Sequence, residues 1–325
     1  MAREHVIDPS VVHHQWDLDL EPLLAIGSGD TVHFDIKVAG EGQVWPGASY
    51  EDTRFDFDTI YNLSGPIWID GAEPGDTLQV DVLDLRHGEW GWAAFLPGFG
   101  LLPDDFPYGY VRTFALKDSV AEFTPGIRIP LAPFCGTIGT HPGEPRKNVP
   151  FPPHRGGGNI DNRHLTSGST VWIPVHVPGA MFSCGDPHAA QGDGEVSVTA
   201  LEAPLSGSMR FTLHKRAISA PRFRVPAGSQ AIRAGGYQAT MGISPDLMDG
   251  SRIAVRAMIE WLTDACGLTA DDAYLLCSLT GDLRIVEVVD AGVWNVAMTV
   301  PQAVFDGGPQ AVFDGGPQAV FDGDY

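Results

Sequence analysis

The chain has 325 residues, enough for one large domain or two ordinary ones. With 43% hydrophobic and 19% charged residues it can bury a core and lacks the composition of a disordered chain. Lys and Arg number 20 against 41 Asp and Glu, a formal net charge of −21. So acidic a chain is suited neither to nucleic-acid phosphates nor to anionic membrane surfaces.

Glycine (39) and proline (26) make up one residue in five, which predicts many turns and few long helices. Thr31–Val38 alternates, with Val32, Phe34, Ile36 and Val38 on one face, and reads as a half-buried strand. Thr77–Leu85 alternates as well, but its apolar face slips between Val82 and Leu83, which predicts a bulge or a strand end there. Further strands are expected at Thr170–Val177, Glu195–Ala200 and Ser208–Leu213, with Pro-Gly turns at 74–75, 97–98 and 178–179 between the elements. After about residue 240 the pattern changes. Asp249–Gly267 carries Ile253, Ala257, Trp261 and Ala265 at helical spacing, with Asp249 as the expected cap and Gly267 as the stop. Thr269–Leu279, capped by Thr269, reads as a second helix, and Leu283–Val289 as a last strand.

The expected architecture is mainly β, a sandwich or barrel with a small helical C-terminal part, α+β overall. The boundaries read as a β-rich core over 1–240, a helix-and-strand part over 241–305 on the same unit, and a repetitive tail over 306–325. That tail continues PQAVFDGG, which starts at Pro301, repeats at Pro309 and recurs at Pro317 as PQAVFDGDY. Three copies of eight residues are too few for a solenoid, so the first is taken as the end of the domain. The cysteines Cys135, Cys184, Cys266 and Cys277 show no CxxC pairing, so neither a thiolate zinc site nor a dense disulfide framework is expected. No run of about 18 apolar residues occurs, and the first residues lack the apolar stretch of a secretory signal. A cytoplasmic location is the expectation.

Two polar segments could carry chemistry. Gly185–Glu195 (GDPHAAQGDGE) holds Asp186, His188, Gln191, Asp193 and Glu195. Asp186 and His188 are two apart and face the same way in an extended chain. A carboxylate beside an imidazole suits a borderline cation such as zinc, although a polar turn bonded to its own backbone has the same signature. Arg155–His164 (RGGGNIDNRH) places Asn159 and Asp161 on one side if extended, behind three glycines that let the backbone approach another group. It lacks the Gly-Lys-Ser/Thr of a phosphate loop. His13-His14 read as surface residues, and Ser183-Cys184 lack the Gly-x-Ser-x-Gly setting of a nucleophile. The aromatic run Glu89–Tyr110 fits core or interface packing, or a pocket wall.

GGNIDNR at 157–163 and GDPHAAQGDGE at 185–195 resemble the paired signatures of the acetamidase/formamidase family. GPIWIDGAEPGDTL at 65–78, GFG at 98–100 and PFCGTIGTHPG at 133–143 are similar to its intervening motifs, in the same order. The resemblance implies hydrolysis of a small aliphatic amide, formamide or acetamide, to carboxylate and ammonia. It also implies a β-sandwich of jelly-roll character with a C-terminal α/β portion, homodimers or larger assemblies, and dependence on a divalent metal, zinc first and calcium second.

Amide hydrolysis requires an activated water and a stabilised oxyanion, both of which a divalent ion supplies. On this reading Asp161, Asp186 and His188 hold the metal, and Glu195 is the general base that returns its proton to the departing ammonia. Asn159 contacts the substrate amide or oxyanion, and Asp193 orients His188 or binds a second ion. The roles of Asp193 and Glu195 are exchangeable. Two other readings remain: a hydrolase of a carbamate, urea or ester, and a calcium-dependent β-sandwich binding module, whose preference for all-oxygen ligation fits His188 poorly.

Overall fold

The alternating segments of the first two thirds of the chain close into two sheets. A computed structural model of the protein describes residues 2–218, 221–224, 237–287 and 294–305. In the smaller sheet, Thr31–Ile36, Leu205–His214, Thr77–His87 and Thr170–Pro174 pair antiparallel. Glu4–Val6 runs parallel along one edge and Arg222–Arg224 antiparallel along the other. The expected slip is a bulge: Ser208 faces Asp84 and Met209 faces Val82, so Leu83 has no cross-strand partner and stands exposed.

The larger sheet runs from Ile127–Pro130 through Val120–Thr124, Tyr110–Lys117, Trp90–Phe95, Leu201–Glu202, Phe182–Ala190 and Phe134–Gly139 to Gly157–Asn159 and Pro153–His154. Ser64–Ile69 branches from Phe182–Ala190 and carries Leu24–Ile26 parallel to it. Val32, Val80, Ile173 and Phe211 of the smaller sheet share one hydrophobic core with Ile67, Ile138, Phe182 and Cys184 of the larger. The Phe182 and Phe211 rings meet edge to face at 4.9 Å. The expected β-sandwich core with a small helical C-terminal part is therefore what the chain builds.

Another part of the larger sheet faces a second core, made with two helices and a three-stranded C-terminal sheet of Tyr237–Ser244, Trp294–Pro301 and Asp282–Glu287. Helix α1 spans Leu247–Cys266. Asp246, not Asp249, caps it by accepting from the Asp249 N–H at 2.9 Å, and Gly267 ends it in the left-handed region. Its buried stripe is Ala254, Val255, Met258, Ile259 and Leu262, whereas Ile253 lies exposed. The expected row through Ile253 and Trp261 is thus one position off, because two adjacent rows make the wider apolar face. Helix α2, Ala270–Thr280 with Thr269 as cap, is buried on every side from Ala273 onward. No helix among the described residues is long and apolar enough to cross a membrane.

Two further expectations are corrected. Glu195–Ala200 is a series of turns rather than a strand, with Glu195 and Val198 at positive φ. Gly185–Ala190, which reads either as a turn-held metal segment or as a polar turn, is the second half of the wholly buried strand Phe182–Ala190. That strand joins both cores, with Phe182 and Cys184 in the first and Ala189 and Ala190 in the second.

Among the described residues the chain closes on the first copy of the tail motif. Val304 and Phe305 are buried, Phe305 forms a backbone bridge with Ile127, and its ring meets Trp261 at 6.2 Å. Phe305→Ala is therefore expected to lower the unfolding free energy by about 3–5 kcal/mol, read as a lower urea midpoint at unchanged slope. The later copies lie outside the described residues.

Candidate active site

The register of the central strands gathers the polar side chains. Phe182–Ala190 pairs on one side with Phe134–Gly139 and on the other with Leu201–Glu202, which sets Glu202 directly opposite His188. His188 Nε2 lies 3.3 Å from Asp186 Oδ2 and 3.3 Å from Glu202 Oε2, and its Nδ1 lies 4.0 Å from Asp161 Oδ1. The imidazole and the Phe134 ring meet nearly perpendicular at 5.0 Å. Ligand atoms of Asp161, Asp186 and His188 all lie within 4.8 Å of one another, and so do those of His188, Glu195 and Glu202. The two clusters share His188.

The backbone is bent to achieve this. Asp161, Asp186 and Glu195 have φ of +43°, +50° and +39°, a region that non-glycine residues enter at a cost and that clusters at functional sites. Asn159 Nδ2 donates to Asp161 Oδ2 at 2.8 Å, while the Thr137 hydroxyl donates to Asn159 Oδ1 at 2.5 Å. Gln191 Nε2 donates to the Asp161 carbonyl at 2.9 Å. Arg163 and Asp282 form a buried pair, and Asp282 also accepts from the Asp193 N–H, so one carboxylate ties both polar segments to the C-terminal sheet. Burial opposes charge on Asp282, yet Arg163 and Arg284 hold it below the usual carboxylate range.

Four carboxyl groups thus surround one imidazole. His188 is 0% exposed, and Asp186 and Glu202 are each 3% exposed. Burial pushes Asp161 and Glu202 up to about 7, and Glu195 well above its ordinary value. For His188 burial works the other way, but Glu202 and Asp186 outweigh it and raise its pKa well above the usual range. Asp161 Oδ1, Glu202 Oε2 and both ring nitrogens of His188 are buried without a hydrogen-bond partner, which a folded protein seldom tolerates. Gly136 leaves room between them. A methyl there would come within 2.5 Å of Asp161 Oδ1, 2.6 Å of His188 Cε1 and 2.8 Å of Asp186 Oδ2.

Asp186, Asn159, Glu195 and Glu202 open onto a cavity of about 670 Å³. Its walls include Trp92 and Phe99 of the aromatic run, while Phe95, Phe106, Tyr108 and Tyr110 pack on one another. Asp161, Asp186, His188, Asn159 and Glu195 are therefore brought together. Asp193 points elsewhere, its carboxylate 3.5 Å from His164 Nε2. Two further residues of the site carry little signal in the sequence. Glu202 is a single carboxyl inside an apolar run, Ala200–Leu205, and that isolation is the only signal it offers. Tyr61 lines the cavity, and burial together with the neighbouring carboxylates, Asp186 foremost, raises its phenol well above the ordinary value, so it stays protonated.

His13, read as a surface residue, is buried. Its Nδ1–H donates to the Gln15 carbonyl at 2.8 Å and its Nε2 accepts from the Ser183 hydroxyl at 2.9 Å. Burial lowers its pKa to about 4 from 6.5. The unfolded chain therefore takes up this proton first, so the stability is complete above pH 6.5 and is lost as pH falls toward 4, by about 3 kcal/mol. His13→Gln is expected to flatten the melting temperature against pH across that window; an unchanged slope would contradict the assignment.

The model of the acetamidase/formamidase family matches residues 2–149 and 146–307. Among curated proteins, the acetamidase of Mycolicibacterium smegmatis is 29% identical over 248 residues, 57% of this chain and 61% of that one. The formamidase of Methylophilus methylotrophus is 27% identical over 247 residues, 57% and 60% respectively. The match spans about three fifths to two thirds of the length of the curated relatives. Among solved structures, a gamma lactamase from Delftia acidovorans superposes with a TM-score of 0.85 at 26% identity, covering 99% of this chain and 98% of its own.

Proposed function

Because the chain belongs to the acetamidase/formamidase family, we propose that it hydrolyses the C–N bond of a small carboxamide to a carboxylate and ammonia, with a divalent ion at Asp161, Asp186 and His188. The observation that carries this reading is the cluster of four carboxyls around one imidazole at the wall of a 670 Å³ cavity. A cation resolves its two anomalies at once, the unpartnered buried atoms and the surplus of acid groups. The gap beside Gly136 that a Cβ would fill is consistent with it. A donor set of imidazole nitrogen and carboxylate oxygen favours zinc over calcium.

When bound, the ion supplies a low-pKa water and polarises the substrate carbonyl. The chain's own residues do the rest. Asn159 spends one amide N–H on Asp161 Oδ2, fixing that carboxylate, and we assign its other N–H to the substrate oxygen. Glu195, made more basic by burial, takes the proton of the attacking water and passes it to the nitrogen as the C–N bond breaks. Tyr61, held protonated, offers a further hydrogen-bond donor on the cavity wall. Cytoplasmic residence belongs to the same proposal and is supported by four free cysteines.

A cyclic amide is a second form of the same substrate. It is favoured by the size of the cavity and by the likeness to the gamma lactamase over nearly the whole of both chains. The test is ammonia release from formamide, acetamide, propionamide and urea, with ring opening of a γ-lactam run in parallel on the zinc-loaded protein. Turnover of an amide or lactam supports the proposal. Silence across the panel would contradict it and shift the weight to carbamates, esters or a binding role.

A further inference from the structure

Resting on that reading, we infer that the cavity selects amides whose acyl group carries an aromatic ring. Its volume of about 670 Å³ falls in the range that houses drug-sized ligands, far beyond the single methyl of acetamide. The excess space is walled by three phenylalanines from three separate loops, Phe57, Phe99 and Phe151. The Phe57 and Phe99 rings stack at 5.5 Å, Phe57 meets Phe151 at 6.1 Å, and Phe151 meets Tyr61 edge-on at 5.1 Å. Tyr61 in turn lies in the field of Asp186 and Glu195. A continuous line of rings therefore leads from the acid cluster along the cavity wall.

These rings are not core residues. Phe57, Phe99 and Phe151 are 39%, 46% and 38% exposed. A lone exposed aromatic needs no explanation, but a contiguous set lining a concave surface marks a place where an apolar ligand takes the place of water. Stacked and edge-to-face rings present both faces and edges, which a planar acyl group matches better than a branched aliphatic one of equal volume. The amide end of such a molecule lies with Asn159, Glu195 and Glu202, and its ring with Phe57 and Phe99.

The experiment compares kcat/KM for acetamide, cyclohexylacetamide and phenylacetamide on the zinc-loaded full chain. Phenylacetamide is expected to exceed acetamide by about tenfold or more, with cyclohexylacetamide between them. Phe57→Ala and Phe99→Ala are each expected to lower the phenylacetamide-to-acetamide ratio by about tenfold, while Phe99→Tyr, which keeps the ring, retains it. Acetamide turned over as well as phenylacetamide, or a ratio unmoved in both alanine variants, would overturn the inference and leave the amidase reading standing. No hydrolysis of any of the three would overturn the inference, and silence on formamide, propionamide and the γ-lactam as well would overturn the amidase reading with it.

Discussion

Glu195→Gln is expected to lower kcat on the best amide substrate by about 10³-fold while the protein retains its zinc. Glutamine keeps the shape of the side chain and its place on the cavity wall, and it removes only the capacity to take a proton. Glu195 is presented there by the Gly194 turn, at a φ of +39° that a hydrogen-bonded strand would not supply. Burial makes its carboxylate a stronger base than usual, which suits it to a water proton. Metal content measured beside kcat separates the two roles open to it. A variant that loses zinc along with turnover would make Glu195 a ligand, in the cluster it forms with His188 and Glu202.

Gly136→Ala is the complementary substitution, because it replaces none of the proposed ligands. Its new methyl would occupy the space among Asp161 Oδ1, His188 Cε1 and Asp186 Oδ2. None of these can retreat easily. Asp161 is held by Asn159, and His188 is wedged between Phe134 and the two flanking strands. The expected result is a loss of zinc affinity of about 100-fold or more, comparable to removing a supporting contact of a metal ligand. The variant is also expected to have a lower melting temperature, since strand or side chains must shift to relieve the overlap. Competition with a chromophoric chelator measures the affinity directly. Wild-type affinity would show that the ion sits elsewhere, with Glu195 and Glu202.

What the sequence disclosed follows from how local each feature is. The bulge at Leu83 was legible because an alternating pattern and its slip both lie within nine residues. Thr269 and Gly267 were legible as helix ends because caps act over three or four residues. The grouping of Asp161 with Asp186 and His188 was legible through long motifs. Glu202 was not, because its partner His188 is supplied by cross-strand register, and nothing in Ala200–Leu205 announces it. The same holds for His13, whose buried partner Ser183 lies 170 residues away. Gly185–Ala190 misled for a physical reason. Glycine, proline and aspartate usually mark turns, but here they form a buried strand in which Asp186 faces an imidazole instead of water. The face of α1 was ambiguous because two neighbouring rows are both apolar, and only the sheet beneath decides between them.

In the proposed reaction the acids around His188 hold an ion needed to cleave an amide. The most direct test strips the full chain with a chelator and returns zinc stepwise while ammonia release or lactam opening is followed. Because both candidate clusters share His188, the expectation is no turnover in the stripped protein, then a rise in proportion to added zinc with a plateau at one ion per chain. Full turnover by protein shown to be free of metal would contradict the account at its centre.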